Sequence, residues 1–131
     1  MSLPPGLRYT TNHEWVSDPE GPTARVGITD YAANALGDVV FLDLPEVGDQ
    51  VSAGSPCGEV ESTKSVESLY APVSGAVLAI NEDVINAPEL VNQEPFGAGW
   101  MYEVAPEGQP GELLDAAAYQ ELVTGLAQEH D

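Results

Sequence analysis

The residue best suited to do chemistry in this sequence is Lys64, the one lysine of the chain. It lies among small polar residues, Glu-Ser-Thr-Lys-Ser, in a stretch bounded by the apolar residues Val60 and Val66. That arrangement is typical of a tight hairpin with Thr63 and Lys64 at or beside its tip. A lysine in such a place projects into solvent from a rigid scaffold, where another enzyme can reach its amine.

The acidic neighbours of Lys64 argue against direct catalysis by its amine. A lysine that acts as a general base or Schiff-base nucleophile needs a lowered pKa, which burial or a nearby cation provides. Here the neighbours are Glu59, Glu61 and Glu67, and carboxylates favour the ammonium form. We therefore predict a lysine that another enzyme modifies and that then carries a covalent group. Direct use of Lys64 by an enzyme is an alternative that turnover by the unmodified protein would support.

The charge of the chain is strongly negative, because three basic residues face 22 acidic ones and the formal net charge is −19. Such a surface repels nucleic acid and anionic membranes. It favours partners with basic docking patches, although a requirement for solubility alone would also explain it. The charge therefore excludes classes of partner without naming a function.

The length of 131 residues fits one domain, which we place at 1–131 with a core of about 7–123. No apolar run in the sequence approaches a membrane span. The first residues match neither a secretory signal nor a mitochondrial presequence, and the single cysteine, Cys57, cannot form an internal disulfide. We therefore expect a bacterial cytoplasmic protein, or a mitochondrial matrix protein if a presequence has been removed.

Short apolar segments separated by Gly, Pro and Asp predict a mainly β structure, arranged as a sandwich or a flattened barrel. The predicted strands cover residues 8–9, 14–17, 24–28, 38–44, 50–51, 57–62, 66–70, 75–80 and 101–104. These strands place the Lys64 segment between two of them, as a hairpin requires.

Two segments predict helices, and each begins after a good capping residue. Thr29 caps the first, near 30–36, and Gly37 ends it as a left-handed stop. Asp115 caps the second, near 116–128, and a further single turn begins at Pro88. The buried face of the first helix is expected to comprise Tyr31, Ala35 and Leu36. An apolar stripe of the second helix is expected to pack on the sheet and comprises Tyr119, Leu122, Val123 and Leu126.

Four blocks of the sequence are informative together: His-Glu-Trp-Val at 13–16, a long block at 27–48, Glu-Ser-Thr-Lys at 61–64 with its continuation at 68–75, and Pro-Glu-Leu-Val-Asn at 88–92 extending to residue 100. In these blocks and in their order the chain resembles the glycine cleavage H proteins. The match runs from about residue 7 to 123. The resemblance implies a flattened β-barrel sandwich, the barrel-sandwich hybrid of lipoyl and biotinyl carriers, with the lysine on a hairpin turn and a helix near the C-terminus.

The resemblance implies a non-catalytic shuttle protein. In the family the lysine, here Lys64, carries lipoic acid as an amide that a lipoyl-attaching enzyme installs. The arm accepts an aminomethyl group from the pyridoxal-phosphate-dependent glycine decarboxylase (P protein) and presents it to the tetrahydrofolate-dependent aminomethyltransferase (T protein). Dihydrolipoamide dehydrogenase (L protein) then reoxidises the dithiol. We expect a monomer that binds neither nucleic acid nor membranes.

Three other residues are candidates for recognition or for docking of the arm. Glu61 and Ser62 either are read by the lipoyl-attaching enzyme or simply suit the hairpin. In the family a carboxylate of the His-Glu-Trp block helps to hold the loaded arm in a cleft, which implies Glu14 here. Some members have a histidine where this chain has Ala35, so that contribution is absent.

Other roles remain open on the sequence alone. A lipoyl carrier for another complex and an unmodified regulatory or interaction protein on the same fold are both compatible with it. A biotin carrier would typically have Met on both sides of the lysine, whereas Thr63 and Ser65 flank Lys64.

The remaining chemically capable side chains are expected to be structural. His13 is expected to be a hydrogen-bonding residue, and with His130 it has no metal-binding spacing. Cys57 has no basic neighbour in sequence and is expected to be a small strand residue. Trp15 and Trp100 are expected to anchor packing, with Trp100 also a candidate to border the cleft.

Overall fold

The computed structural model describes residues 3–4, 6–108 and 112–129, which form two antiparallel sheets and four short helices. In chain order the elements are β1 (Arg8–Tyr9), β2 (Glu14–Val16), β3 (Ala24–Ile28), α1 (Asp30–Leu36), β4 (Val39–Asp43), β5 (Gln50–Val51), β6 (Pro56–Ser62), β7 (Val66–Tyr70), β8 (Ser74–Ile80), α2 (Glu82–Asn86), α3 (Leu90–Gln93), β9 (Tyr102–Glu107) and α4 (Ala116–Glu129). The larger sheet has the order β1-β2-β3-β9-β8-β5, and the smaller has the order β4-β6-β7.

The predicted fold class, a mainly β barrel-sandwich with two accessory helices, is confirmed. All nine predicted strands are present, and the largest difference is β9, which begins one residue later than predicted and extends three residues further. Helix α2 was not predicted. Its signal is local, because the side chain of Asn81 accepts a hydrogen bond from the backbone N–H of Asp83 and two acidic residues follow it in the first turn.

The main core joins apolar side chains from both sheets. Strand residues alternate between this core and solvent, so each sheet presents one apolar face to the other. Core positions from both sheets are Val16, Val26, Val77 and Val104 of the larger sheet and Leu42, Val60 and Leu69 of the smaller. This packing fixes the position of β6 and β7, the two strands that carry the Lys64 hairpin.

A second apolar cluster fixes α4 on the larger sheet, as predicted. The rings of Tyr9 and Tyr119 stack with centroids 4.8 Å apart, and Trp15 and Val123 complete the buried part of the cluster. Gly27 lies directly beneath the indole of Trp15, since a Cβ there would lie 2.7 Å from the ring. The helix begins as predicted, because the Asp115 carboxylate accepts a hydrogen bond from the backbone N–H of Ala118 at 2.8 Å.

Helix α1 is capped by Thr29 as predicted, but its buried face differs from the prediction. Ala33 and Leu36 are buried, Tyr31 is half-buried and Ala35 is exposed. Ala33 and Leu36 are three positions apart and therefore share one face of the helix. Ala35 consequently lies on the solvent side. Gly37 ends the helix with φ 83° and ψ −159°, a conformation open essentially to glycine, rather than with the left-handed helical stop that was expected.

No helix in the described part of the chain combines the length and the apolar character needed to cross a membrane.

Candidate functional site

The Lys64 hairpin is closed by a three-residue turn, 63–65, between β6 and β7. The last strand pair before the turn is Glu61 with Val66. Ser62 is buried, and its hydroxyl accepts hydrogen bonds from the backbone N–H groups of Lys64 and Ser65, each at 3.1 Å. The backbone at the tip is therefore held from inside, while the side chain of Lys64 is exposed. Ser62 thus has a structural role in the hairpin that its sequence position alone did not settle.

The end of α1 forms a platform under the tip of the hairpin. The backbone N–H of Thr63 donates to the carbonyl oxygen of Asp38 at 3.1 Å. A Cβ at Gly37 would lie 3.1 Å from Cε of Lys64, so the alkyl chain of the lysine crosses over the glycine. Glycine at this position therefore serves two purposes, the unusual backbone angle and the close approach of the lysine.

Asn92 of α3 holds this platform in place and was not identified from the sequence. Its Oδ1 accepts from the backbone N–H of Val39 at 2.9 Å, and its Nδ2 donates to the carbonyl oxygens of Gly37 at 2.8 Å and Ala33 at 3.4 Å. One side chain thus provides hydrogen-bond partners for carbonyl oxygens at the end of α1 and for the first backbone N–H of β4. The last carbonyls of a helix have no partner within the helix itself. Asn92 closes the predicted 88–92 block, but its partners lie more than 50 residues away, so sequence offered no signal for the contact.

A cleft of about 350 Å³ extends from the hairpin into the body of the protein. Ser65, the residue after Lys64, lies on its rim, and Glu14 lies on its wall. Apolar side chains on the wall include Ile28, Leu36, Val60 and Leu69. The cleft therefore begins beside the lysine, has a wall that mixes these apolar side chains with polar ones, and contains the carboxyl groups of Glu14 and Glu67.

Glu14 is the one charged side chain that we predicted to lie in the cleft. It is 2% exposed; Oε1 accepts from the hydroxyl of Thr10 at 2.6 Å and Oε2 accepts from the backbone N–H of Tyr70 at 3.2 Å. Burial raises the pKa of Glu14 to about 7, although both hydrogen bonds act in the opposite direction. Thr10, the partner closest to Glu14, was missed, because a threonine in a short strand-to-strand connection has no distinctive pattern.

His13, beside Glu14 on the cleft wall, is held by α4. Its Nδ1 lies 2.8 Å from the hydroxyl of Tyr119, which in turn lies 2.8 Å from Oγ1 of Thr29, the cap of α1. Burial lowers the pKa of His13, which favours the neutral ring near neutral pH. His13 therefore serves as the hydrogen-bonding residue that we predicted, and it links α4 to the cleft.

The other candidates lie away from the cleft. Glu61 is exposed on the outer face of β6. Trp100 does not line the cleft as considered above, because it packs in the α4 cluster under the guanidinium of Arg25, 4.4 Å from the ring centre. Cys57 is half-buried in β6, and burial raises the pKa of its thiol.

Within the described residues, no group of three or more His, Cys, Asp or Glu side chains has the geometry to hold a metal ion. His130 lies outside the described residues.

Comparison with known proteins gives one consistent result. A family model described as "Glycine cleavage H-protein" matches residues 7–125. The chain is 57% identical to a glycine cleavage system H protein of Streptomyces coelicolor over 91% of this chain and 95% of that one. It is 56% identical to the protein of that name from Mycobacterium avium, over 95% and 89% of the two chains. A crystal structure of a glycine cleavage system H protein from Mycobacterium marinum superposes with a TM-score of 0.88 at 46% identity, covering 93% of this chain and 99% of that one.

Proposed function

The chain belongs to the glycine cleavage H-protein family, whose members are lipoyl carriers rather than catalytic enzymes, and from this premise we propose that Lys64 is the lipoylated residue. The observation that carries the proposal is the placement of the single lysine. It lies exposed at the tip of a hairpin whose backbone is fixed by Ser62 and by Asp38. A modifying enzyme can reach the amine there without unfolding any strand.

The residues around Lys64 fit a lipoyl group in size and polarity. A cleft whose wall includes the apolar side chains of Ile28, Leu36 and Leu69 opens beside Ser65, next to the residue that we propose is modified. These side chains are suited to contact an alkyl arm and its sulfur ring, because they bury apolar surface without demanding hydrogen bonds. Amide formation at Lys64 also removes the ammonium charge, which makes contact with these apolar side chains less costly.

Lys64 would hold lipoate as an amide, and the group would supply a dithiolane suited to carry an aminomethyl group between glycine decarboxylase and a tetrahydrofolate-dependent aminomethyltransferase, with dihydrolipoamide dehydrogenase as the enzyme that would reoxidise the dithiol. The protein supplies the tether, which keeps the reacting group at high effective concentration beside each partner in turn. We place these events in the bacterial cytoplasm, since the relatives named above are bacterial proteins.

Within this scheme Glu14 acts as a receptor for a cationic amine. No cationic side chain among the described residues pairs with it, and its pKa of about 7 means that it is close to half protonated near neutral pH. A cation that enters the cleft lowers that pKa and converts the group to a carboxylate that pairs with it. Without a cation the cleft thereby avoids holding a full buried charge, and the pair forms only when the cation is present.

The experiment that tests the proposed modification is the intact mass of the protein purified from its native host. We expect a lipoyl adduct that peptide mapping places on Lys64, and no adduct on a Lys64→Arg variant expressed in the same cells. A protease that cuts at acidic residues suits the mapping, because the chain has three basic residues and 22 acidic ones. A biotinyl adduct, or an unmodified Lys64 from cells supplied with lipoate, would contradict the proposal.

The identity of the multienzyme system needs a second measurement. Glycine-dependent reduction of the lipoylated protein by the decarboxylase is expected to occur with the wild type and to be absent with Lys64→Arg. Reduction by a 2-oxoacid dehydrogenase in place of the decarboxylase would assign the carrier to another complex.

A further inference from the structure

The outer face of the smaller sheet presents apolar side chains where solvent-facing strand residues are usually polar. The register of β4 on β6 shifts between Val39 and Phe41, so the chain bulges at Val40. Val40 and Phe41 are both exposed, at 48% and 55%, while their neighbours Val39 and Leu42 are buried. A bulge that places an extra residue against one partner position re-aims side chains, and such features commonly serve a site rather than the core.

These two residues are continuous with the Lys64 hairpin. Phe41 pairs with Glu61 on β6, and Glu61 pairs with Val66 on β7, which is 54% exposed. Directly opposed residues in a sheet lie close enough for their side chains to touch. Val40, Phe41, Glu61 and Val66 therefore form one surface, which we call the tip patch, and Glu61 and Val66 begin and end the hairpin segment that contains the lysine.

The next row of the same face is acidic. Asp43 pairs with Glu59, and both are exposed. The tip patch thus consists of an aromatic and two valines, with carboxylates within and beside it. Large exposed apolar side chains with a polar border are typical of an interaction surface.

We propose that the tip patch is the docking surface for the lipoyl-attaching enzyme, an inference that rests on the proposed function of Lys64. That enzyme acts on the bare amine, so it must approach within the length of one lysine side chain. Partners that use the loaded arm can work at the much greater distance that the arm spans. The lysine also lies across Gly37, so the enzyme must engage the hairpin closely enough to lift the amine from its platform.

The side chains of the tip patch and its border predict the chemistry of the enzyme surface that contacts them. An apolar depression is required for Phe41 and Val66, and basic side chains around it are required for Glu61, Asp43 and Glu59. A second copy of this chain does not fit that description, because each copy has a net charge of −19 and the border of the patch is acidic. The occupant is therefore a different protein with a basic rim.

The test measures steady-state lipoylation of the purified unmodified chain by a bacterial lipoate–protein ligase with lipoate and ATP. Phe41→Ser is expected to raise KM about tenfold while kcat stays within a factor of about two, since Phe41 contributes to docking and does not touch the amine. Leu78→Ser is the matched control. Leu78 is a 43% exposed strand residue of β8 in the other sheet, and its variant is expected to behave as the wild type.

Each outcome separates this inference from the proposed function. Equal KM values for Phe41→Ser, Leu78→Ser and wild type would overturn the docking surface and leave lipoylation of Lys64 intact. A wild-type chain that the ligase never modifies would overturn both. Normal lipoylation of Phe41→Ser followed by weakened reduction by glycine decarboxylase would assign the patch to that partner and overturn the inference. If sedimentation shows a dimer of the wild type that Phe41→Ser abolishes, the patch is a contact between copies of this chain and the inference is overturned.

Discussion

At the scale of single residues, the protonation of Glu14 gives the protein a distinctive pH dependence. Its pKa is about 7 in the folded chain against a reference of 4.5, so its contribution to stability is fully present below about pH 4.5 and is lost as the pH rises through 7. A shift of that size corresponds to about 3 kcal/mol at high pH. We expect the free energy of unfolding of Glu14→Gln, relative to that of wild type, to rise by about 2–3 kcal/mol as the pH increases from about 4 to about 8. Urea denaturation at each pH measures this difference.

All other residues are the same in the two proteins, so the difference between the two curves isolates Glu14. Glu103→Gln, on the exposed pair that Glu103 forms with Arg25 at 2.8 Å, serves as a control that is expected to show no such gain with rising pH. A constant gap between Glu14→Gln and wild type across this pH range would contradict the assigned protonation of Glu14.

At the scale of elements, the short helices α1 and α3 support the hairpin in addition to burying Leu36 and Val91 in the main core. Asn92 of α3 binds the end of α1 and the start of β4, and that connection in turn binds the backbone of Thr63. We expect Asn92→Ala to cost about 1–2 kcal/mol in unfolding free energy, because half-buried backbone groups lose their partner. We also expect faster hydrogen exchange at the amide of Thr63, measured by NMR.

Asn34→Ala is the matched control for this change, since Asn34 is exposed on α1. Its variant is expected to leave the exchange rate of Thr63 unchanged, and alanine favours helix at that position. If Asn92→Ala lowers global stability without a selective effect at Thr63, the link between α3 and the hairpin tip is wrong.

Local signals predicted most elements, although the capped helix α2 was missed, whereas features that depend on strand register were not predicted. Thr29 and Asp115 cap their helices as predicted because a cap is decided by a residue and its next three neighbours. The run Val39-Val-Phe-Leu42 reads as an ordinary buried strand, yet a bulge turns Val40 and Phe41 outward. That register depends on where β6 lies, which the run itself does not encode.

In the candidate site, too, some features were predictable from the sequence and others were not. Lys64 and its hairpin are contiguous in sequence, so composition and spacing pointed to them directly. The environment of Glu14 is assembled from Thr10 and Tyr70, and the latter is 56 residues away. The resemblance identified the carboxylate, but its protonation depends on burial and on those two donors, which only the folded chain supplies.

At the scale of the whole molecule, the surface charge is expected to act on encounter with partners. The net charge is −19, and an amide on Lys64 lowers it by one further unit, to −20. Arg25 is engaged with Glu103 and Trp100, so little positive charge offsets the acidic surface. Attraction to a basic docking patch accelerates association, and salt screens it over about 10 Å at 0.1 M.

We therefore expect the association rate of the lipoylated protein with glycine decarboxylase to fall about tenfold or more between roughly 0.02 M and 0.5 M salt. Dissociation should change much less, because steering acts on the encounter and not on the docked contacts. Stopped-flow fluorescence would measure both rates, and reduction of free lipoamide, which is uncharged, would report any effect of salt on the enzyme itself. Equal association rates at the two salt concentrations would mean that the acidic surface serves solubility and that docking to the decarboxylase depends on short-range contacts alone.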